Sequence, residues 1–543
     1  MAQTAQISQG DYKLFGTVVN AITGEPIRRA LVQIVVTQTF GVLSDSEGKF
    51  EFEGLPEGRL HVGVRKPGFF NESDIKAGPV IASGGLSFGP EGDGTKVGPD
   101  TPPLTLKLIP EGVIFGRIDT NGEPLEYISV KIFAIGIHEG GKYWEQRGET
   151  ATDADGAFRA SNLQPGTYYV MVGGMWNSVA RIRPSAKEKE QGYGEVFYNN
   201  AEDMNGATPI EVSPGQQAET NFSLKPTSMF RVSGTINGLQ GQGADLSFIG
   251  SSGVPARFPT HFNPINGQFE TMVPGGAYTL EARGFNKDGS VLSANLPIRV
   301  NSDLSGIQLT LAPAISIPVD VRREDVAQAR GTDLTINYYS GVDAAGHPYR
   351  GNFADASVVG LHLRPRTMSL QNQEITSSFR VNPGGQPQSQ IANIEPGRYV
   401  VTFPLNSRWY VQSAQCGSVD LLHEDLTIAT ESQSPPIEIV LRNDPATLTG
   451  SISSESPEAD AKVLVVPDGA ATRTQVAYIH DGHFEMDGLA PGDYSVIALN
   501  TVQGLEYTNP EVIAPYLAHA QHVSLQGSQK SDVNVELVQV GKQ

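Results

Sequence analysis

The stretch Leu163-Gln164-Pro165-Gly166-Thr167-Tyr168, running on into Tyr169-Val170-Met171-Val172, decides how this chain folds. Proline presets its own φ near the turn value, and the glycine after it tolerates backbone angles that a Cβ would forbid, so the chain reverses here. Beyond the reversal Tyr168, Val170 and Val172 recur at every second position, the period of a strand with one face turned inward. Four further passages share the design: Leu55-Pro56-Glu57-Gly58-Arg59-Leu60, Val273-Pro274-Gly275-Gly276-Ala277-Tyr278, Ile394-Glu395-Pro396-Gly397-Arg398-Tyr399 and Leu489-Ala490-Pro491-Gly492-Asp493-Tyr494. Their last glycines step by 108, 110, 121 and 95 residues. A unit of about a hundred residues is the size of a small sandwich domain, so the turn is read as closing one β-hairpin in each of five domains.

A second turn lies upstream of the first. Asp45-Ser46-Glu47-Gly48-Lys49-Phe50, Asp153-Ala154-Asp155-Gly156-Ala157-Phe158, Asn266-Gly267-Gln268-Phe269 and Asp481-Gly482-His483-Phe484 each set an Asp-Gly or Asn-Gly type reversal two residues before a phenylalanine that returns to the core. The fourth unit replaces it with Asn382-Pro383-Gly384-Gly385-Gln386-Pro387, a looser loop. Opening strands such as Leu14 to Val19 and Val113 to Ile118, and closing strands such as Leu104, Leu106, Leu108 or Val533, Val535, Leu537, frame each unit. The expected class is all-β: about five tandem Ig-like or transthyretin-like antiparallel β-sandwiches in an elongated array. Their expected bounds are 11–110, 111–226 with an aromatic-rich insertion, 228–312, a divergent 313–443, and 444–540 with a short helical insertion from Pro510 to His522. Short proline-bearing links predict a semi-rigid rod on the order of 200 Å long.

With 543 residues the chain exceeds what one core can organise. A net charge of −20 disfavours nucleic acid and anionic lipid as partners, since both would be repelled. The single cysteine, Cys416, excludes an intrachain disulfide framework. No run approaches the ~20 apolar residues of a membrane span. Met1-Ala2-Gln3-Thr4-Ala5-Gln6 lacks the pattern of a signal peptide and is read as the start of a mature form without its leader.

Several motifs invite a chemical reading. Catalytic zinc would need a histidine with a glutamate three residues on, and none of the ten histidines has one. No Gly-x-Ser-x-Gly elbow is present, and Cys416 has no catalytic setting. Asp153-x-Asp155-Gly156 opens like a calcium loop, but the twelfth position is Gln164, which cannot supply the bidentate carboxylate. No catalytic residue, metal ligand or cofactor is therefore assigned. The candidate ligand contacts are aromatic and fall in the second unit: Tyr143, Trp144, Trp176, Tyr193 and Tyr198, read as lying in inserted loops outside the regular strands. Flat rings suit sugar C–H faces, and large aromatic rings more commonly pack onto their own sandwich. Trp409-Tyr410 in the fourth unit carries the same two readings, while Lys187-Glu188-Lys189-Glu190 is a solvated loop.

Gly16, Gly24-Glu25-Pro26, Ala30-Leu31-Val32, Ser44-Asp45, Gly48-Lys49-Phe50, Leu55-Pro56, Gly58 and Lys66-Pro67-Gly68-Phe69 together resemble the carboxypeptidase regulatory-like domain. Gly122-Glu123-Pro124, Thr152-Asp153 and Gly156-Ala157-Phe158 extend the resemblance to the second unit. It implies a transthyretin-like sandwich, an extracytoplasmic and non-catalytic module of exported bacterial proteins (acidobacterial ones in particular), and kinship with starch-binding-like folds. Pilin sandwiches related to it carry Lys-to-Asn cross-links between first and last strands. Lys13 has no asparagine opposite in the closing strand, and Asn221 and Asn534 face openers without lysine, so such a bond is not expected.

The functional expectation is a non-enzymatic exported protein, a rod of modules presenting or spacing interaction surfaces at a bacterial envelope. It would be extracellular, periplasmic or outer-membrane associated, with a glycan or an envelope protein as partner and an oligomeric state left open. The alternatives are carbohydrate binding through the aromatic loops of the second unit, and a hydrolase accessory role.

Overall fold

A computed structural model describes residues 4–6, 10–36, 38–71, 75, 94–138, 140–175, 191–239, 243–285, 291–313, 315–324, 326, 338–342, 348–351, 357–366, 375–381, 389–405, 408–429, 434–453 and 460–541. One three-strand arrangement recurs five times. In the first unit the opener Tyr12–Asn20 lies antiparallel to Lys49–Leu55 and parallel to the closer Leu104–Pro110. Gly112–Thr120 stands likewise between Ala157–Leu163 and the short closers Gln217–Glu219 and Phe222–Ser223. Pro226–Asn237, Ile315–Glu324 and Ala446–Ser453 repeat the scheme with their own partners. The tandem all-β reading therefore holds, and the fourth unit keeps the scheme despite its divergent sequence.

Glycine recurs in four of the openers for a steric reason. A Cβ on Gly16 would stand 2.1 Å from the Leu104 carbonyl oxygen, and one on Gly116 would stand 1.7 Å from that of Thr220. Gly234 and Gly450 meet Ile307 and Val533 in the same way. The closing strand approaches so tightly that only hydrogen fits between, and the fourth opener, which has no glycine, pairs without this contact.

The second sheet of each unit pairs a strand that follows the opener with the strand after the Pro-Gly turn: Leu31–Val35 with Gly58–Arg65, Ile128–His138 with Gly166–Met175, Asp245–Ile249 with Gly276–Phe285, Ser357–Pro365 with Gly397–Thr402, and Lys462–Pro467 with Gly492–Leu499. This corrects the hairpin reading of the Pro-Gly turn. The strands on its two sides, such as Lys49–Leu55 and Gly58–Arg65, do not pair with each other; the turn carries the chain from one sheet to the other. The upstream turn behaves in two ways. It is a true hairpin in the third and fifth units, where Thr260–Phe262 pairs with Gln268–Pro274 and Gln475–His480 with His483–Leu489. In the first and second units it too crosses between sheets, since Thr39–Leu43 and Gly141–Ala151 belong to the second sheet. The fifth unit closes further: its strands form a ring in which Lys462–Pro467 meets Gly492–Leu499 and Gly492–Leu499 meets Lys530–Val538, so it is a small barrel.

Four of the five corners are fastened by tyrosine. The hydroxyl of Tyr168 donates to the carbonyl of Gln164 at 2.6 Å, Tyr278 to Pro274 at 3.0 Å, Tyr399 to Glu395 at 2.7 Å and Tyr494 to Ala490 at 2.7 Å. A ring buried in the core thus hydrogen-bonds back across the reversal four residues upstream, as a tyrosine corner does. In the first unit Leu60 takes this place and only fills space.

Each unit has its own apolar core: around Leu14, Phe50 and Phe52; Ile114, Phe158 and Val170; Val232, Phe248 and Phe269; Val359, Ile391 and Tyr399; and Leu448, Phe484 and Val496. The four phenylalanines after the upstream turns, Phe50, Phe158, Phe269 and Phe484, are all buried. Truncating such a side chain costs about 3–5 kcal/mol, so each weighs heavily on the stability of its own unit. Trp409 and Tyr410 are also buried. The expected helix is present at Pro510–Leu517, capped by Asn509, whose Oδ1 accepts from Glu511 N at 3.1 Å. Its Ile513 is buried in a second apolar cluster of the fifth unit, with Leu464, Ile497, Leu505 and Tyr507.

The straight end-to-end rod is not what forms. Gly140 of the second unit touches Tyr507 and Thr508 of the fifth, and Gln503 Nε2 reaches the carbonyl of Ile75 in the first at 3.4 Å. Units three and four places apart could not meet in a line of five, so the array folds back on itself.

Candidate functional site

The candidate aromatic residues separate into different environments. Tyr143 and Trp144 lie within the strand Gly141–Ala151, opposite Gly136 and Ile135, which corrects their assignment to an inserted loop. The cause is the length of this hairpin, whose two strands of eleven residues each carry the sheet beyond the core of its own unit. Trp144 is half-buried, edge-on to Tyr169 at 4.7 Å, against an apolar cluster of Phe133, Met171 and Phe197. Tyr193 sits in Gln191–Tyr193, a strand that leaves its own unit to pair with Pro226–Asn237 of the third. Tyr193 and Tyr198 both pack against the core of the second unit, and Tyr198 meets Phe222 edge-on at 5.6 Å. Trp176 and the Lys187 to Glu190 run lie outside the described residues, as does the Asn382 to Pro387 loop. The structure brings Tyr193 and Tyr198 to one core and sets Trp144 on the outer cluster.

What the aromatic cluster does contain is the seam between units two and three. Val254 of the third unit is buried in the outer cluster with Phe133, Met171 and Phe197. Beside it Glu195 accepts from Ser252 Oγ at 2.9 Å and stands 3.9 Å from Lys131 Nζ. Burial pushes the Glu195 carboxyl above the usual range, while Lys131 and the Ser252 hydroxyl pull the other way. No sequence motif marks these groups; the signal in the sequence is the surplus of aromatic residues in this segment.

The motifs that look chemical are spent on the backbone. Asp153 Oδ1 accepts from the N–H groups of Asp155 at 3.0 Å and Ala157 at 2.9 Å. Asp45 does the same for Glu47 and Lys49, and the bond from Lys49 N is the main cause of its lowered pKa. Ser44 and Thr152, each just before its aspartate, are buried and bridge the chain: Thr152 Oγ1 takes the N–H of Ile128 at 2.9 Å and donates to the Leu125 carbonyl at 2.6 Å. Ser44 does likewise between Ala30 and Ile27. Lys13 pairs with Glu51 and Glu53. Asn221 bonds Arg117 N and Glu219, and Asn534 bonds Ser451 and Ser453, so both amides are engaged in hydrogen bonds. Cys416 is buried, its thiol donating to the Pro435 carbonyl at 3.3 Å, and burial raises its pKa. Among the described residues no group of three or more His, Cys, Asp or Glu side chains is gathered for a metal ion.

Charged groups concentrate at the other seams. Arg283 of the third unit bridges Glu281 at 2.6 Å and Glu395 of the fourth. Arg473 of the fifth reaches into the fourth, donating to the carbonyls of Val401 at 3.1 Å and Leu421, with its guanidinium 5.5 Å from the Phe403 ring centre. Burial lowers its pKa to about 10.

Among solved structures the chain is similar to GBS52, the minor pilin of Streptococcus agalactiae, at 14% identity and a TM-score of 0.21, over 40% of this chain and 96% of that one. It is similar to a streptococcal ancillary pilin at 11% identity and a TM-score of 0.19, over 56% and 100%, and to BcpA, the major pilin subunit of Bacillus cereus, at 10% and 0.14, over 61% and 99%. Likenesses of that size carry no argument about this chain. No curated protein matches it. Residues 13–78, within the first unit, match the model of the carboxypeptidase regulatory-like domain.

Proposed function

We propose that the chain is a non-enzymatic structural protein, a set of β-sandwich modules that presents interaction surfaces at a bacterial envelope. One observation carries the reading: the polar residues that look chemical in the sequence are committed to holding turns and strands. Asp45, Asp153, Ser44 and Thr152 each satisfy backbone groups with their side-chain oxygens, which leaves them poorly placed to act on a ligand. The acidic charge and the five self-contained cores support the same reading, as does the extracytoplasmic character that the regulatory-like domain implies. Activity profiling of the purified chain with hydrolase-directed probes, alongside a metal assay, is expected to give neither labelling nor stoichiometric metal. Labelling that maps to a side chain in one of the units would overturn the proposal.

A second reading, glycan recognition, is favoured by the half-buried Trp144 and its neighbour Tyr143 on an edge strand, where a ring face can meet a sugar. Polysaccharide pull-down decides it. Retention by the wild type that is lost in Trp144→Ala and Trp176→Ala supports recognition, and a wild type that is not retained removes it.

A further inference from the structure

The units follow one another in sequence, yet their contacts make a closed circuit. Units two and three share the apolar seam around Val254; units three and four share Arg283 and Glu395; units four and five share Arg473 and the bond from Tyr410 Oη to Asp444 at 3.2 Å. The last link runs from the fifth unit back to the second. At the tip of the long hairpin, the Gly140 carbonyl accepts from Thr508 Oγ1 at 2.6 Å and from Thr508 N at 3.3 Å. Lys142 Nζ lies 2.9 Å from Glu506 Oε2, on a side chain largely withdrawn from water. Arg364 of the fourth unit reaches the same tip: its Nη1 lies 3.0 Å from where a Cβ on Gly141 would stand.

This contact is shaped for its occupant. Gly140 is buried with a φ of +71°, and a Cβ there would sit 2.6 Å from the Tyr507 ring, so the ring can lie against the tip only because the residue is glycine. Thr508 and Tyr507 are themselves buried. The link also differs in kind from the others. Units two and five do not follow one another in the chain, so no short connecting segment backs this contact, whereas the other three links join consecutive units. Two hydrogen bonds from Thr508, the Lys142–Glu506 ion pair and the Tyr507 ring hold the tip in place.

We propose that the hairpin Ile128–His138 and Gly141–Ala151 is a clasp: docked on Glu506, Tyr507 and Thr508, it keeps units two to five in one closed body, and its release lets the chain extend. The clasp is the link of the circuit that joins units not consecutive in the chain, so its release opens the circuit while neighbouring units stay tethered. This holds whether or not the modules bind a ligand.

The test uses the intact chain. A zero-length carbodiimide joins an amine to a carboxylate in direct contact, with loss of water, so it should link Lys142 to Glu506 within a monomer and do so less in high salt. Thr508→Val, which keeps the shape and removes the hydroxyl bond, should lower the yield of that linked peptide about three- to tenfold. Gly140→Val, which sets a side chain into the Tyr507 ring, should abolish it and raise the radius of gyration measured by X-ray scattering. Hydrogen exchange in the cores of units two and five should stay as in the wild type in both variants. Absence of the Lys142–Glu506 peptide in the wild type, or its presence only in dimers, would overturn the proposal. So would an unchanged radius of gyration in a Gly140→Val chain that has lost the link.

Discussion

Replacing Tyr399 by phenylalanine isolates what a corner hydroxyl contributes. The ring is 1% exposed and sits in the core of the fourth unit, so phenylalanine keeps its apolar contacts and removes one O–H···O bond of 2.7 Å to the Glu395 carbonyl. The loss combines the bond with the cost of a poorly hydrated carbonyl, about 1–2 kcal/mol in all. That corresponds to roughly five- to thirtyfold more frequent local opening. Because five units do not unfold as one transition, the suitable assay is amide hydrogen exchange in Gly397–Thr402, read peptide by peptide in the intact chain. Alkali provides an independent check. Burial pushes the Tyr399 hydroxyl from its ordinary pKa of 10.0 up to about 12, helped by the nearby Glu395 charge. The folded corner holds the proton more tightly than the unfolded chain does. Its stabilisation is therefore complete below pH 10 and fades as pH rises towards about 12. The difference between wild type and Tyr399→Phe should shrink over the same interval. Unchanged exchange in Gly397–Thr402, less than about twofold, would refute the reasoning for all four tyrosine corners.

Three further outcomes follow from the same geometry. Gly116→Val drives a Cβ into the Thr220 carbonyl and should cost about 3 kcal/mol or more, seen as selective proteolysis of the second unit. Tyr127 holds a φ of +61°, strained for a bulky side chain, and is 45% exposed, so Tyr127→Gly should stabilise the second unit by about 0.5–1 kcal/mol in its thermal unfolding, the relief of strain exceeding the entropy that glycine loses. The buried Cys416 thiol should react with a maleimide at least about a hundredfold more slowly in the native chain than in denaturant, since only local unfolding exposes it.

The repeat was legible because its determinants are local. Proline and glycine fix the reversal, alternation fixes the inward face, and Phe50, Phe158, Phe269 and Phe484 all sit where their spacing places them. The partner of each strand was not legible. Leu55-Pro56-Glu57-Gly58 reads as a hairpin because a tight turn is the same object whether the strands beside it pair or diverge into two sheets. The hydroxyl of the recurring tyrosine carries no periodicity of its own, so its bond four residues back shows only in three dimensions. For the candidate aromatics, residue type indicated a surface but not its orientation: Trp144 lies on a strand, and the cluster behind it also receives Val254 of the next unit. The fold-back was invisible, since Gly140 and Thr508 are 368 positions apart and nothing in either stretch names the other.

Hydrogen exchange along the whole chain tests most directly whether five cores fold side by side. Slow exchange should appear as five separate blocks, each centred on an opener and the strand after its corner, from Tyr12–Asn20 with Gly58–Arg65 to Ala446–Ser453 with Gly492–Leu499. One block spanning two units with a single opening rate, or an opener that exchanges as fast as a free peptide, would contradict the account.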